Sequence, residues 1–191
     1  MARYALWTTL LVLGATALGF VALSYLVLGP GAWQGFLASS GLARETLEQG
    51  LVGAAKMQST FAAVRLLGGS VSFAYGAQLI VGIATATTLI ALELKRPRAE
   101  ATGPALATAC LLASPFLLDY DLTILAIPLA WLSRQGVRTG FLPWEKLLLL
   151  AGFCLPLVSR ALAQSLGIPI GPAVIAALFI VVVRRGLIAR E

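Results

Sequence analysis

The chain has 191 residues, of which 59% are hydrophobic and 12% charged, with a mean hydropathy of +0.92 and a formal net charge of +6. Soluble domains carry about 25% charged residues, so this composition excludes an ordinary globular protein and points to a membrane protein. The sequence has no histidine, which removes imidazole acid–base chemistry and histidine metal sites, and Cys110 and Cys154 stand alone in apolar runs without metal-ligand spacing.

At about 20 apolar residues per crossing, the chain has room for roughly five to seven helices. Strand-like alternation is missing, so a β-barrel is not expected. The first apolar run, from about Leu6 to Leu28, is longer than a signal h-region and reads as a retained first helix. Gly29-Pro30-Gly31 is expected to stop it. Residues 30–69 hold Arg44, Glu45, Glu48, Lys56 and Arg65 among recurring apolar positions: Trp33, Phe36 and Leu37, then Met57, Phe61, Val64 and Leu67. That spacing predicts two amphipathic helices lying along the outer, periplasmic membrane surface. A second membrane helix is predicted from about Ser70 to Leu94, closed by Lys95-Arg96-Pro97-Arg98.

Residues 99–133 then form a helical hairpin, with Asp119-Tyr120-Asp121 at its turn. Ser114-Pro115 reads as an N-cap followed by proline at the first helical position, which sets both aspartates near the first turn of the returning arm. A fifth helix is expected from about Leu147 to Gln164, begun by Glu145 and Lys146, which read as structural. After the turn Gly167-Ile168-Pro169-Ile170-Gly171-Pro172, a short sixth helix covers about Ala173 to Val183 and ends at Arg184-Arg185.

Basic residues orient such a chain, because cytoplasmic loops retain Lys and Arg. With six crossings and both termini inside, Arg3, Lys95, Arg96, Arg98, Arg134, Arg138, Lys146, Arg184, Arg185 and Arg190 fall inside, whereas Arg44, Lys56, Arg65 and Arg160 fall outside. Treating residues 99–133 as a single crossing would make that distribution even, so the hairpin is preferred. The same scattering of cations over helix ends argues against nucleic acid as a partner. The expected architecture is therefore an all-α integral membrane protein of about six transmembrane helices, a single domain over residues 1–191, N-in and C-in, with the bilayer itself as a partner.

Asp119 and Asp121 are the most informative residues on this map. A carboxylate inside hydrocarbon costs at least about 2.5 kcal/mol; at an outer turn it is instead held by the helix dipole and free backbone N–H groups. The bland reading is helix capping, and the functional one is a carboxylate that positions a hydroxyl or a cation at an outward-facing site. Arg160 is the second candidate. It lies about 20 Å along helix 5 from the inner end, so it either snorkels to headgroups or, with Lys56 or Arg44, holds a phosphate, with Asp119 or Asp121 as its partner across helices.

The run Ser114-Pro-Phe-Leu-Leu-Asp-Tyr-Asp-Leu-Thr-Ile-Leu, with Gly140-Phe-Leu-Pro-Trp-Glu-Lys and Lys56-Met-Gln-Ser, resembles the C-terminal half of glycosyltransferase family 87, bacterial integral-membrane proteins of the GT-C type. The resemblance implies transfer of a hexose, mannose-like, from a polyprenyl-phosphate-linked donor to an acceptor on the outer side of the cytoplasmic membrane, without a nucleotide sugar, a metal or another cofactor. It implies substrate-site support from Asp119, Tyr120 and Asp121, and phosphate binding by Lys56, Arg160 and Arg44. It also implies a companion N-terminal half, because the family's catalytic carboxylate belongs to a first outer loop that Glu45 and Glu48 do not match; no general base is assigned. The alternatives are a non-catalytic membrane subunit, a small transporter or a scaffold. A transporter should show an internal repeat and mid-bilayer charges, and neither is visible.

Overall fold

The computed structural model describes residues 2–96 and 99–188, with side chains described from residue 11 onward except Ala43. Arg98 and Arg190, which enter the charge distribution above, lie outside the described residues, as does the side chain of Arg3. The described residues are helical, with a single isolated antiparallel bridge between Met57 and Leu118. They divide into two units, Met1–Gln49 and Gly50–Glu191.

The first unit is one helix, α1 (Ala2–Glu48), broken only at Gly29, whose φ of 77° and ψ of 169° are non-helical. The expected stop at Gly29-Pro30-Gly31 is where one helical limb ends and a second begins across a kink. Proline is pre-organised for a first helical position, where its missing N–H costs nothing, so Pro30 restarts the helix that Gly29 interrupts. The second limb carries Trp33 and Phe36 edge to face at 6.1 Å. It closes with two i,i+4 pairs, Arg44 to Glu48 and Gln49 to Glu45, both at 2.7 Å.

The second unit starts with turns at Gly50 and Gly53 and a short 3-10 turn, Ala54–Lys56. Next comes α2 (Thr60–Leu66), whose N-cap Ser59 accepts a hydrogen bond from Ala62 N at 3.1 Å. One face of this stretch packs against the rest of the unit. Met57, Phe61 and Ala62 are buried, Phe61 stacks on Tyr75 at 4.7 Å, and Leu67 is left exposed. Gln78 locks this packing: its Oε1 accepts from Phe61 N at 3.0 Å and its Nε2 donates to Leu112 O at 2.7 Å.

Helix α3 (Val71–Lys95) matches its expected span and is capped by Ser70. Helix α4 (Thr102–Ala113) follows, and Ser114 is its C-cap, not the N-cap of the next helix. The residue before proline is pushed out of the α region, and Ser114 accordingly takes ψ 123°. The chain then runs extended to Leu118, bridges Met57, and re-enters a 3-10 turn at Asp119–Leu125 that leads into α5 (Ala126–Thr139). Both aspartates do sit in the first turn of the returning arm. Helices α6 (Glu145–Leu166) and α7 (Gly171–Ile188) complete the unit.

Helix α4 lies at the centre, packed against α3, α5 and α7. Small residues on it, Ala105 and Ala109, are buried and let the neighbouring helices approach closely. Leu122, Leu125, Leu132, Leu155, Ile175, Leu178 and Val182 fill the rest of the core. Large apolar side chains such as Leu79, Ile80, Ile83 and Ile90 on α3 and Leu150, Phe153 and Leu157 on α6 point outward instead, as lipid-facing surfaces do. Among the described residues, four helices are long and apolar enough to cross a membrane: Leu11–Glu48, Val71–Lys95, Glu145–Leu166 and Gly171–Ile188. The protein is all-helical and membrane-type. Helix α4, with 12 residues, is only about 18 Å long against a hydrocarbon core of about 30 Å. Cys110 and Cys154 are free thiols, the first exposed and the second half-buried.

Helix α7 does not end at Arg184-Arg185. It continues to Ile188 and turns Arg185 into the protein, where the guanidinium meets the carboxylate of Glu145 in a buried, two-pronged ion pair. Arg185 also donates to Thr139 Oγ1 at 3.0 Å and Gly140 O at 2.7 Å. Glu145 is structural, as its position at the start of α6 implies, and its second task is to accept from Leu142 N at 2.8 Å. At the same end, Arg134 pairs with Glu100 at 3.1 Å and Arg96 reaches Leu187 O at 3.3 Å.

Candidate functional site

The opposite end of the second unit gathers the charged residues singled out in the sequence. The backbone does the gathering. Gln58 N donates to Leu117 O at 2.7 Å beside the Met57–Leu118 bridge, and this pairing joins the turn that ends at Lys56 to the turn that starts at Asp119. The 3-10 turn that ends at Lys56 packs against α6, as does the turn that starts at Asp119.

Asp119 and Asp121 divide their work. Asp121 Oδ2 accepts from Leu118 N at 2.9 Å while Asp121 N donates to Leu118 O at 3.1 Å, a reciprocal closure of the turn. Asp121 is therefore a cap. Asp119 Oδ1 accepts from Tyr120 N at 3.0 Å, and its Oδ2 faces Arg160 Nη1 at 3.5 Å. Of the two possible partners for Arg160, the fold uses Asp119. The pair is single-pronged and open, with side chains 28% and 46% exposed for Asp119 and Arg160; contacts of this kind are worth about 0–1 kcal/mol. Either partner can exchange it for another polar group at little cost.

Lys56 is exposed and forms no ion pair among the described residues. Tyr120, 65% exposed, stands on the surface beside Asp119. Arg44 belongs to the first unit and is engaged there with Glu48. Arg65, expected as plain surface, is half-buried and closes the end of α2 by donating to Gly69 O at 2.8 Å.

Two buried polar residues at this end are hard to foresee from sequence. Gln58 is 3% exposed, lies against Gly171 at the start of α7, and leaves Nε2 without a partner among the described residues. Ser159, next to Arg160, is 1% exposed with an unpartnered Oγ. A lone Gln between Met57 and Phe61 was the available signal for the first; Ser159 gave none.

Chemically, two cations and a carboxylate on one polar surface suit an anionic group flanked by hydroxyls. No curated protein and no solved structure matches the chain. The sequence model of glycosyltransferase family 87 matches residues 4–115, a stretch that takes in Lys56–Ser59 and stops before Asp119. That match covers more than half of the 191 residues, and the chain belongs to glycosyltransferase family 87.

Proposed function

We propose that this membrane glycosyltransferase-family protein takes part in transferring a hexose from a polyprenyl-phosphate-linked donor to an acceptor hydroxyl on the outer side of a bacterial cytoplasmic membrane. The observation that carries the reading is the open Asp119–Arg160 pair, with Lys56 exposed on the turn bridged to the Asp119 turn. Family membership supports the reaction class. Six crossings follow if the two arms of the α4–α5 hairpin are counted with the four long helices. Both termini and the end bearing Arg96, Arg134, Arg138 and Lys146 then face the cytoplasm, and Lys56, Asp119 and Arg160 face outward.

In this reading, Arg160 and Lys56 hold the phosphate of the donor. The bond from sugar C1 to the phosphate oxygen breaks, the electron pair stays on the phosphate, and the two cations stabilise it as it leaves. The acceptor oxygen forms the new bond to C1. Asp119 orients Arg160 in the empty site and stabilises the oxocarbenium-like charge on the sugar ring. Asp121 holds the turn, and Tyr120 offers an exposed ring beside the sugar. The base that takes the acceptor proton is assigned to a companion N-terminal half. Arg44 stays outside the assignment because Glu48 already engages it.

The test uses membranes containing the chain together with that companion half and a radiolabelled polyprenyl-phosphate hexose. Arg160→Ala and Lys56→Gln should each lower transfer at least tenfold, mainly through donor KM, and Asp119→Asn should lower kcat. Unchanged transfer in all three variants refutes the assignment. The scaffold reading gains from one fact, that Asp121 is fully spent on its cap; it would be upheld by full stability and no transfer in any pairing.

A further inference from the structure

We propose that the loop between α5 and α6, Gly140–Trp144, together with Lys146, seats the headgroup of an anionic glycerophospholipid. The loop immediately precedes α6, one of the four helices able to cross a membrane, and so lies at headgroup depth. This inference does not depend on the sugar-transfer reading.

The surface is shaped and braced. The ring of Phe141 lies against Gly136 of α5, where any side chain would overlap it. Lys146 Nζ stands 5.1 Å from the centroid of the same ring. Leu142, Pro143, Trp144 and Leu147 complete an open groove around the ammonium. Trp144 is 81% exposed, and the loop that presents it is tied from beneath by Arg185 on Gly140 O and by Glu145 on Leu142 N. An indole displayed on a fixed loop beside an ammonium is the arrangement that residues at a lipid–water boundary adopt, apolar body toward the acyl chains and polar edge in the headgroups.

Charge selects the lipid. The acids described at this end are engaged: Glu145 by Arg185, Glu100 by Arg134 and Gln135, and Glu93 by Thr102. Arg138, Lys146 and Arg184 are exposed and form no ion pair among the described residues. The surface is left with uncompensated positive charge that an anionic headgroup neutralises and a zwitterionic one does not. A soluble phosphate would meet the cations but leave the Phe141 and Trp144 surfaces in water.

The experiment reconstitutes the chain in phosphatidylcholine vesicles with a minor share of phosphatidylglycerol, one lipid at a time carrying brominated acyl chains. Quenching of Trp144 is read as the difference between the chain and its Trp144→Phe variant. Brominated phosphatidylglycerol should quench about fivefold beyond its share, the effect expected of one well-placed cation near an anionic surface. High salt should weaken the preference, Lys146→Arg should keep it, and Lys146→Gln combined with Arg138→Gln should bring it down to the lipid's share. Quenching in proportion to each lipid's share in the native chain overturns the proposal. So does a preference that survives the double substitution, or a Trp144 that neither lipid quenches.

Discussion

Removing the Glu145 carboxylate tests the packing logic of the second unit most directly. Glu145 is 1% exposed and Arg185 8%. Between them they tie the end of α7 to the start of α6, and through Thr139 and Gly140 to the end of α5. Glu145→Ala strips both prongs from the guanidinium, frees Leu142 N, and leaves a buried cation with only the neutral acceptors Thr139 Oγ1 and Gly140 O. Breaking a buried pair from one side costs about 3–5 kcal/mol, because the remaining charge keeps its desolvation penalty and loses its compensation. For a chain of this size, each kcal/mol lowers Tm by about 2–4 °C, so the variant should melt roughly 6–20 °C below the native protein. The assay is thermal unfolding of detergent-solubilised protein, followed by loss of the monodisperse peak. The control is Glu145→Leu combined with Arg185→Met, which removes both charges and keeps volume, and it should recover most of the loss. A single variant within about 1 kcal/mol of native, or a double variant no better than the single, refutes the reasoning.

Three further outcomes are expected. Gln78→Leu leaves Phe61 N and Leu112 O without their partners, and at about 1–3 kcal/mol for each orphaned buried group it should loosen α2 from α3, seen as faster hydrogen exchange at residues 57–66. Gly171→Ala would drive a methyl group into the Gln58 side chain and should cost about 1–3 kcal/mol in thermal unfolding, whereas Gly76→Ala, with open space around it, should be neutral or stabilising. Asp121→Ala should cost about 0.5–2 kcal/mol through the lost cap, while Arg160→Ala costs less than about 1 kcal/mol; the opposite ranking would contradict the division of labour between the cap and the open pair.

The sequence by itself determined the membrane class, the helical architecture and the position of most helices, because those follow from local properties. Apolar run length sets a span, and Ser70 before an apolar run caps α3 wherever the rest of the chain goes. It also pointed to the Asp119 turn and to Arg160, since isolated charges in an apolar chain stand out. What it could not decide were choices made by contacts distant in sequence. Gly29-Pro30 reads as a stop, yet proline restarts a helix as well as it ends one. The periodicity of Met57 and Phe61 is the same for a surface helix and for a buried one, and only the partner Gln78 settles which. Arg185 looks like a helix-end cation until Glu145 is found beside it, 40 residues away. The candidate site shows the same division: composition marks Lys56, Asp119 and Arg160 one by one, and a two-residue backbone pairing joins the turns that carry Lys56 and Asp119. Hydropathy is written residue by residue, whereas a register or an ion pair exists only once two distant segments have met.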